Sequence, residues 1–210
     1  MTITYPLTMP TTGHQARTLG RYSAVGVSRS PWTGKVQTQA YDDQHWTLDV
    51  TLPPLIRENA APWQAFFAKL NGIQGTFLAG DVMGALPRGS ARNVPGTPVV
   101  GGASQTGNTL AISGCPISNT GFLLAGDYLS IGTGVDTKLH VVVDDAATNG
   151  SGVVTATIWP SLRVSPANLA AVTLFQSKGV FRMISSPVDA VNAAGLYTGS
   201  FSAIETPSAA

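Results

Sequence analysis

Only one segment of this chain carries the period of an α-helix, and glycine and proline cut everything around it short. Within 59–71, Trp63, Phe66, Phe67 and Leu70 fall at i, i+3, i+4 and i+7, which lines one helix face with an aromatic stripe. Asn59 is a candidate N-cap, Pro62 reads as a first-turn residue, and Gly72 offers a left-handed stop. Upstream, Trp46, Leu48, Val50 and Leu52 alternate with Thr47, Asp49 and Thr51, the period of a strand with one covered face. Pro53 and Pro54 are expected to end that strand, since neither can donate a ladder hydrogen bond. A further strand over 75–78 leads into the turn at Ala79, Gly80 and Asp81, giving a strand-helix-strand unit with the stripe against the sheet.

Residues 1–45 are polar and turn-rich, with Pro6, Pro10, Gly13, Gly20, Gly26 and Pro31, which predicts short strands and an exposed arm. Over 82–108 the breakers are denser still and predict a linker or extended loop. Short strands are then predicted at 109–113, 128–131, 139–143 and 153–159, separated by turn chemistry at 125–127, 132–134 and 149–152. Such a series argues for a small antiparallel barrel or sandwich. A last pair at 180–184 and 197–204 precedes the tail 207–210. Leu-Ala-Gly-Asp occurs twice, ending at Asp81 and Asp127, but the surroundings do not repeat and the tetrad reads as an ordinary turn signal.

Charged residues make up 11% of the chain, against about a quarter in an average soluble protein. Together with 23 glycines and 14 prolines, this suits a β-protein whose surface is largely covered by neighbouring subunits. A net charge of +1 without any Lys/Arg-rich stretch gives no general attraction for a phosphate backbone, so no nucleic-acid specificity is expected. The amino terminus lacks the basic start and apolar run of a secretion signal, and no apolar stretch approaches a membrane span. The expected location is the cytosol, unless the chain leaves it as part of a particle.

Chemistry-bearing residues are scattered. His14, His45 and His140 lack metal-type partners at i+2 to i+4, and His140 is expected to face solvent from its strand. Asp144, Asp145, Asn149 and Ser151 resemble a calcium loop in composition only, lacking its alternation and closing Glu, and read as a hairpin turn. Asp42-Asp43 and Arg57-Glu58 are isolated pairs, and there is no Gly-x-Ser-x-Gly elbow or phosphate-binding loop. Cys115, between Gly114 and Pro116, has no partner for an internal disulfide and no histidine near it in sequence. No catalytic residue, cofactor ligand or metal ligand is assigned, and the chain reads as a non-enzyme. Trp46, Trp63, Phe66, Phe67 and Phe77 read as core, because their spacing follows strand and helix periods. Trp32 and Trp159, each beside a proline, also read as packing, with an exposed indole for an interface or a sugar as the alternative.

The run Trp46-Thr47-Leu48-Asp49-Val50-Thr51-Leu52, the helix from Ala61 to Gly72 and the following Gly75-Thr76-Phe77-Leu78 resemble the core of distal-tail proteins of long-tailed bacteriophages, the lambda-type tail-tip adaptors. In that family a strand of the form xxLxVxL precedes a helix of the form xxxFxxxxGxxxxF. The likeness covers 46–81. The stretches 102–110, 124–129 and 158–163 resemble a segment found in many phage tail proteins, and 179–183 with 200–205 looks like the return of the first sheet. The present chain carries an extra middle segment relative to the shorter lambda-type version.

The resemblance implies a mainly β fold: a belt-type β-sandwich with one α-helix, built from 1–90 and 178–210, interrupted by a small antiparallel β-barrel at 98–177. It implies a structural virion protein of the tail tip, assembled in the host bacterial cytoplasm. Its expected partners are further copies of itself in a ring, a homohexamer, together with the tail tube protein, the hub and baseplate proteins, and tail fibres or a receptor-binding protein. The polar segment 1–45 is the expected arm that adds a strand to a neighbour's sheet. The alternative is a tail-tip binding module in which the barrel recognises a host-surface glycan or holds a receptor-binding protein. A cell-wall hydrolase of the tip is a third reading, for which no catalytic constellation is visible.

Overall fold

The computed structural model describes residues 3–12, 16–185, 187–192 and 194–206. Along these residues the elements are β1 (Leu7–Thr8), β2 (Ala16–Arg29), β3 (Val36–Leu55), α1 (Arg57–Leu70), β4 (Thr76–Ala79), β5 (Val99–Val100), β6 (Gly107–Ser113), β7 (Tyr128–Ile131), β8 (Lys138–Val142), β9 (Val154–Leu162), β10 (Val172–Thr173), β11 (Gly179–Met183), β12 (Val188–Val191) and β13 (Tyr197–Glu205). The chain is mainly β, with a mixed belt sheet carrying the single α-helix and a small, nearly closed antiparallel barrel.

The belt sheet runs β1-β4-β11-β13-β3-β2, with β12 also paired to β13. Two strands from the end of the chain, β11 and β13, therefore lie between β4 and β3 from its beginning. Only the β1–β4 pair is parallel. All strands between Val99 and Thr173 belong to the second sheet, ordered β10-β7-β8-β9-β6-β5 and antiparallel throughout. Its two edge strands meet: Val99 bridges Ala171, the Val100 amide donates to Ala170 O at 2.9 Å, and the Val172 amide donates to Pro98 O at 3.1 Å. This near-closure covers edges that would otherwise offer unpaired backbone, and it brings the start and end of the barrel segment side by side.

The helix buries Ala60, Trp63, Phe66, Phe67 and Leu70, the stripe read from its spacing. Phe66 meets the ring of Phe77 edge-on at 5.6 Å and Phe67 meets Phe201 edge-on at 5.3 Å. Edge-to-face pairs add about 0.5–1.5 kcal/mol each beyond their area burial. Asn59 is not the cap. The chain passes straight from β3 into α1, so Ile56 occupies the N-cap position without a side-chain bond, and its carbonyl receives the amides of Asn59 and Ala60, each at 3.0 Å. Pro62 consequently lies in the second turn, where its missing N–H leaves Glu58 O without the regular helical bond. Asn71 and Gly72, with φ of 50° and 68°, both take the left-handed conformation that stops the helix.

Three other expectations for the first part of the chain are corrected. The segment 3–12 is strapped to the helix rather than free: Trp63 Nε1–H donates to Thr12 O at 2.7 Å, Tyr5 Oη–H donates to Lys69 O at 2.8 Å, and Met9 is buried. Instead of short strands, 16–55 forms two long ones, and β3 begins ten residues before Trp46. Pro53 and Pro54 do not end β3 either. They lie between Leu52 and Leu55, where the β13 register shifts from Gly199 to Tyr197 and no ladder amide is required of them.

The expected linker over 82–108 is pinned instead to the barrel. The buried carboxylate of Asp127 accepts the amides of Arg88 (2.6 Å), Gly89 (3.2 Å) and Leu124 (2.9 Å), and Ala91 is fully buried. Asp81, its counterpart in the repeated tetrad, accepts the nearby Met83 amide at 2.8 Å and is hydrogen-bonded to the side chain of Tyr128.

Strand β8 joins the two sheets. Leu139 and Val141 pack into the belt core beside Trp46 and Phe181, whereas Val142 packs into the barrel core beside Leu129 and Ile158. Both faces of β8 are thus covered. This corrects the expectation for His140, which is only 5% exposed, because the strand has no solvent face for it to use.

Candidate assembly interface

The belt supports β3 along one part of its length only. Strand β13 pairs with β3 from Thr47 to Leu55, whereas β2 continues to pair with it out to Arg29 and Val36. Past Tyr22 and Gln44 the two strands therefore project as a hairpin, with no third strand beside them among the described residues. A register shift between Ser23 and Val25 sets Tyr41–Asp43 opposite Ala24, the extra residues and added twist of a bulge. Ser30 closes the tip: its amide donates to Lys35 O at 2.9 Å, its carbonyl accepts the Gly34 amide at 3.0 Å, and Gly34 adopts a φ of 68°.

The two faces differ. Opposed pairs Val25/Ala40, Val27/Thr38 and Arg29/Val36 continue the face that carries Leu48 and Trp46 in the belt core, yet all six are exposed. On the other face, Tyr22 stacks on His45 at 4.6 Å, His45 Nδ1 lies 2.9 Å from Asp43 Oδ1, and the Tyr41 ring covers Gly26 closely enough that an added Cβ would sit 3.2 Å from it. Trp32, at the tip, is 93% exposed, which overturns its reading as a packed residue. Trp159 does pack, meeting Trp46 edge-on at 4.7 Å.

Both hairpin edges are unpaired among the described residues, and they carry opposite charge. On the projecting part β2 contributes Arg29 and no acid, whereas 36–44 of β3 contributes Asp42 and Asp43 and no Lys or Arg. Arg17 and Arg21 lie within the belt, where Arg17 Nη1 donates to Gly80 O at 3.1 Å and the Arg21 guanidinium lies over the Trp46 ring at 5.2 Å. The hairpin's base is anchored, since Gln44 Oε1 accepts the Ser161 amide at the end of β9 at 3.0 Å. Sequence reasoning missed this element. Its signal was present in the alternation of Val25, Val27, Val36, Thr38 and Ala40 with small or polar residues, but the surrounding glycines and prolines outweighed it.

The other candidate residues do not converge. Cys115 is buried in its turn and burial pushes its thiol up to about 11, so it is held protonated. Asp145 Oδ1 accepts the Ala125 amide, tying its turn to the one at 125–127, and Asn149 Oδ1 accepts those of Ser151 and Val153 within its own turn. No group of three or more His, Cys, Asp or Glu suited to a metal occurs among the described residues. His14 lies outside the described residues. No helix among them is long and apolar enough to cross a membrane.

The chain matches no protein-family model, and no curated protein is significantly similar to it.

Proposed function

We propose that this protein is a structural, non-enzymatic subunit of a phage tail tip: a homomeric ring adaptor that joins the tail tube to the hub and baseplate and carries the fibre or receptor-binding apparatus. One observation supports this reading most strongly, the projecting hairpin whose two free edges bear opposite charge. A contact between the β2 edge of one copy and the β3 edge of the next is heterologous, so each copy presents one edge of each kind, and a rotation that closes yields a ring. The backbone groups of an exposed edge pair readily with another strand. Complementary Arg and Asp side chains would then fix which edge meets which, and suppress pairing of like edges.

The test is the mass of the full chain in solution, alone and mixed with tail-tube and hub proteins, with negative-stain imaging. A closed ring, formed alone or only with a partner, is the expected outcome. Asp42→Arg should abolish it, and adding Arg29→Glu should restore it. A persistent monomer indifferent to tail components overturns the adaptor reading and turns attention to the binding-module alternative.

A further inference from the structure

Strands β8 and β9 pair at Val141 with Trp159 and Val142 with Ile158, the Val143 amide adds a bond to Thr157 O at 2.8 Å, and toward Lys138 the strands separate. A cavity of about 360 Å³ is lined by the far end of β8, the end of β7 and the segment that follows β9. At about 30 Å³ per water this is room for roughly a dozen waters, or for a ligand of about ten heavy atoms. Leu162, Val164, Pro166 and Ala170 make much of its wall apolar, and Lys138, Arg163, His140, Glu205 and Asp136 bring charge and polarity to it.

The hydrogen bonds at this cavity leave specific capacity unused. Both oxygens of the buried Glu205 carboxylate are occupied, Oε1 by the Leu139 amide at 3.0 Å and Oε2 by Arg163 Nη2 at 3.1 Å. Lys138 Nζ spends one donor on Thr206 O at 2.8 Å. A guanidinium has five N–H donors and an ammonium three, so each cation keeps donors to spare. His140 Nδ1 lies 2.8 Å from Pro160 O. A carbonyl can only accept, so Nδ1 carries the proton and Nε2 keeps a lone pair that can accept from a ligand hydroxyl. Burial foremost, with Arg163 and Lys138 acting in the same direction, pushes this histidine down to about 4, so the ring is neutral at physiological pH.

We propose that the cavity binds a short-chain hydroxy acid, its carboxylate on Arg163 and Lys138, its hydroxyl donating to His140 Nε2, and its aliphatic chain along Leu162, Val164 and Pro166. The preference for both groups follows from the presence, in one cavity, of cationic donors and a neutral imidazole acceptor, so a ligand carrying a carboxylate and a hydroxyl uses both. None of the residues lining the site belongs to the hairpin.

The test is calorimetric titration of the full chain at neutral pH with β-hydroxyhexanoate, hexanoate and hexanol. The hydroxy acid should bind saturably with a Kd of about 1 mM, a reasonable efficiency for so small a ligand. Hexanoate should bind roughly tenfold more weakly because it cannot donate to His140, and hexanol should not bind measurably. Lys138→Gln leaves the Arg163–Glu205 pair in place and should weaken both acids together, whereas His140→Phe should erase the difference between them. Equal binding of the two acids, binding of hexanol as tight as that of the hydroxy acid, or no saturable heat from any probe overturns the proposal. The comparison of ligands needs no variant, so it stands even if His140→Phe fails to fold.

Discussion

The indole N–H of Trp46 donates to the carbonyl of Leu139 at 2.9 Å, and the amide of Leu139 donates to the Glu205 carboxylate at 3.0 Å. Side chains of the belt thereby satisfy both backbone groups of Leu139, whose ladder to β9 has already ended. Trp46→Phe keeps most of the buried ring but orphans the Leu139 carbonyl, at an expected cost of about 1–3 kcal/mol. The readout is the urea midpoint at unchanged slope. An unmoved midpoint would show that the bond adds nothing to stability.

Excising 98–177 and joining the cut ends through a short linker tests how far the belt depends on the barrel. The expected product still unfolds cooperatively but is less stable by about 4 kcal/mol, since Leu139 and Val141 no longer cover the belt core. Tryptophan emission should shift to the red as Trp46 meets solvent. A product without cooperative unfolding would mean that the belt cannot fold without the barrel.

Phe66→Ala and Phe67→Ala should each cost about 3–5 kcal/mol, because both rings are buried and interlock with Phe77 or Phe201. Denaturant curves decide the matter, and near-neutral values for both would refute the packing of α1.

Asp127→Ala should cost about 3 kcal/mol, as it leaves the amides of Arg88, Gly89 and Leu124 without their shared acceptor. Hydrogen exchange of those amides should accelerate well before global unfolding. Unchanged protection would mean that other contacts hold 82–98 in place.

Acid should weaken the protein through His140. Its pKa lies at about 4 in the fold against an ordinary 6.5, so as the pH falls from 6.5 toward 4 the unfolded chain takes up a proton that the folded chain refuses. Stability from the neutral ring is therefore full above pH 6.5 and is lost across that window, by about 3 kcal/mol. Glu205, raised by burial, acts with the opposite sign, because the folded chain takes up its proton first. Lys138, Arg163 and Asp136 line the same cavity, so the informative quantity is the difference between the native chain and His140→Phe. The variant should lose the acid-side fall, and parallel pH profiles for the two would contradict this assignment.

The sequence made the helix stripe and most strand positions legible because each depends on local period. Trp63, Phe66, Phe67 and Leu70 point one way in any helix, and Tyr128–Ile131 reads as a strand from its own residues and flanking glycines. Errors arose where a neighbour distant in sequence set the outcome. Pro53 and Pro54 are accommodated by a register shift in β13, about 140 residues later, and His140 is buried because the belt covers a face its own strand would have left open. The hairpin was hidden for a related reason. Long pairing of β2 with β3 outweighs the weak strand propensity of Gly20 and Gly26, and no window along a single strand reports that partnership.

The anchoring of Gln44 to Ser161 makes the hairpin a lever. From Ser23 to the tip the two strands reach about 25 Å, at roughly 3.3 Å per residue. With its fulcrum at Gln44, a sideways pull on Trp32 is delivered as torque to the end of β9, so strain at the hairpin tip is felt first at the mouth of the barrel.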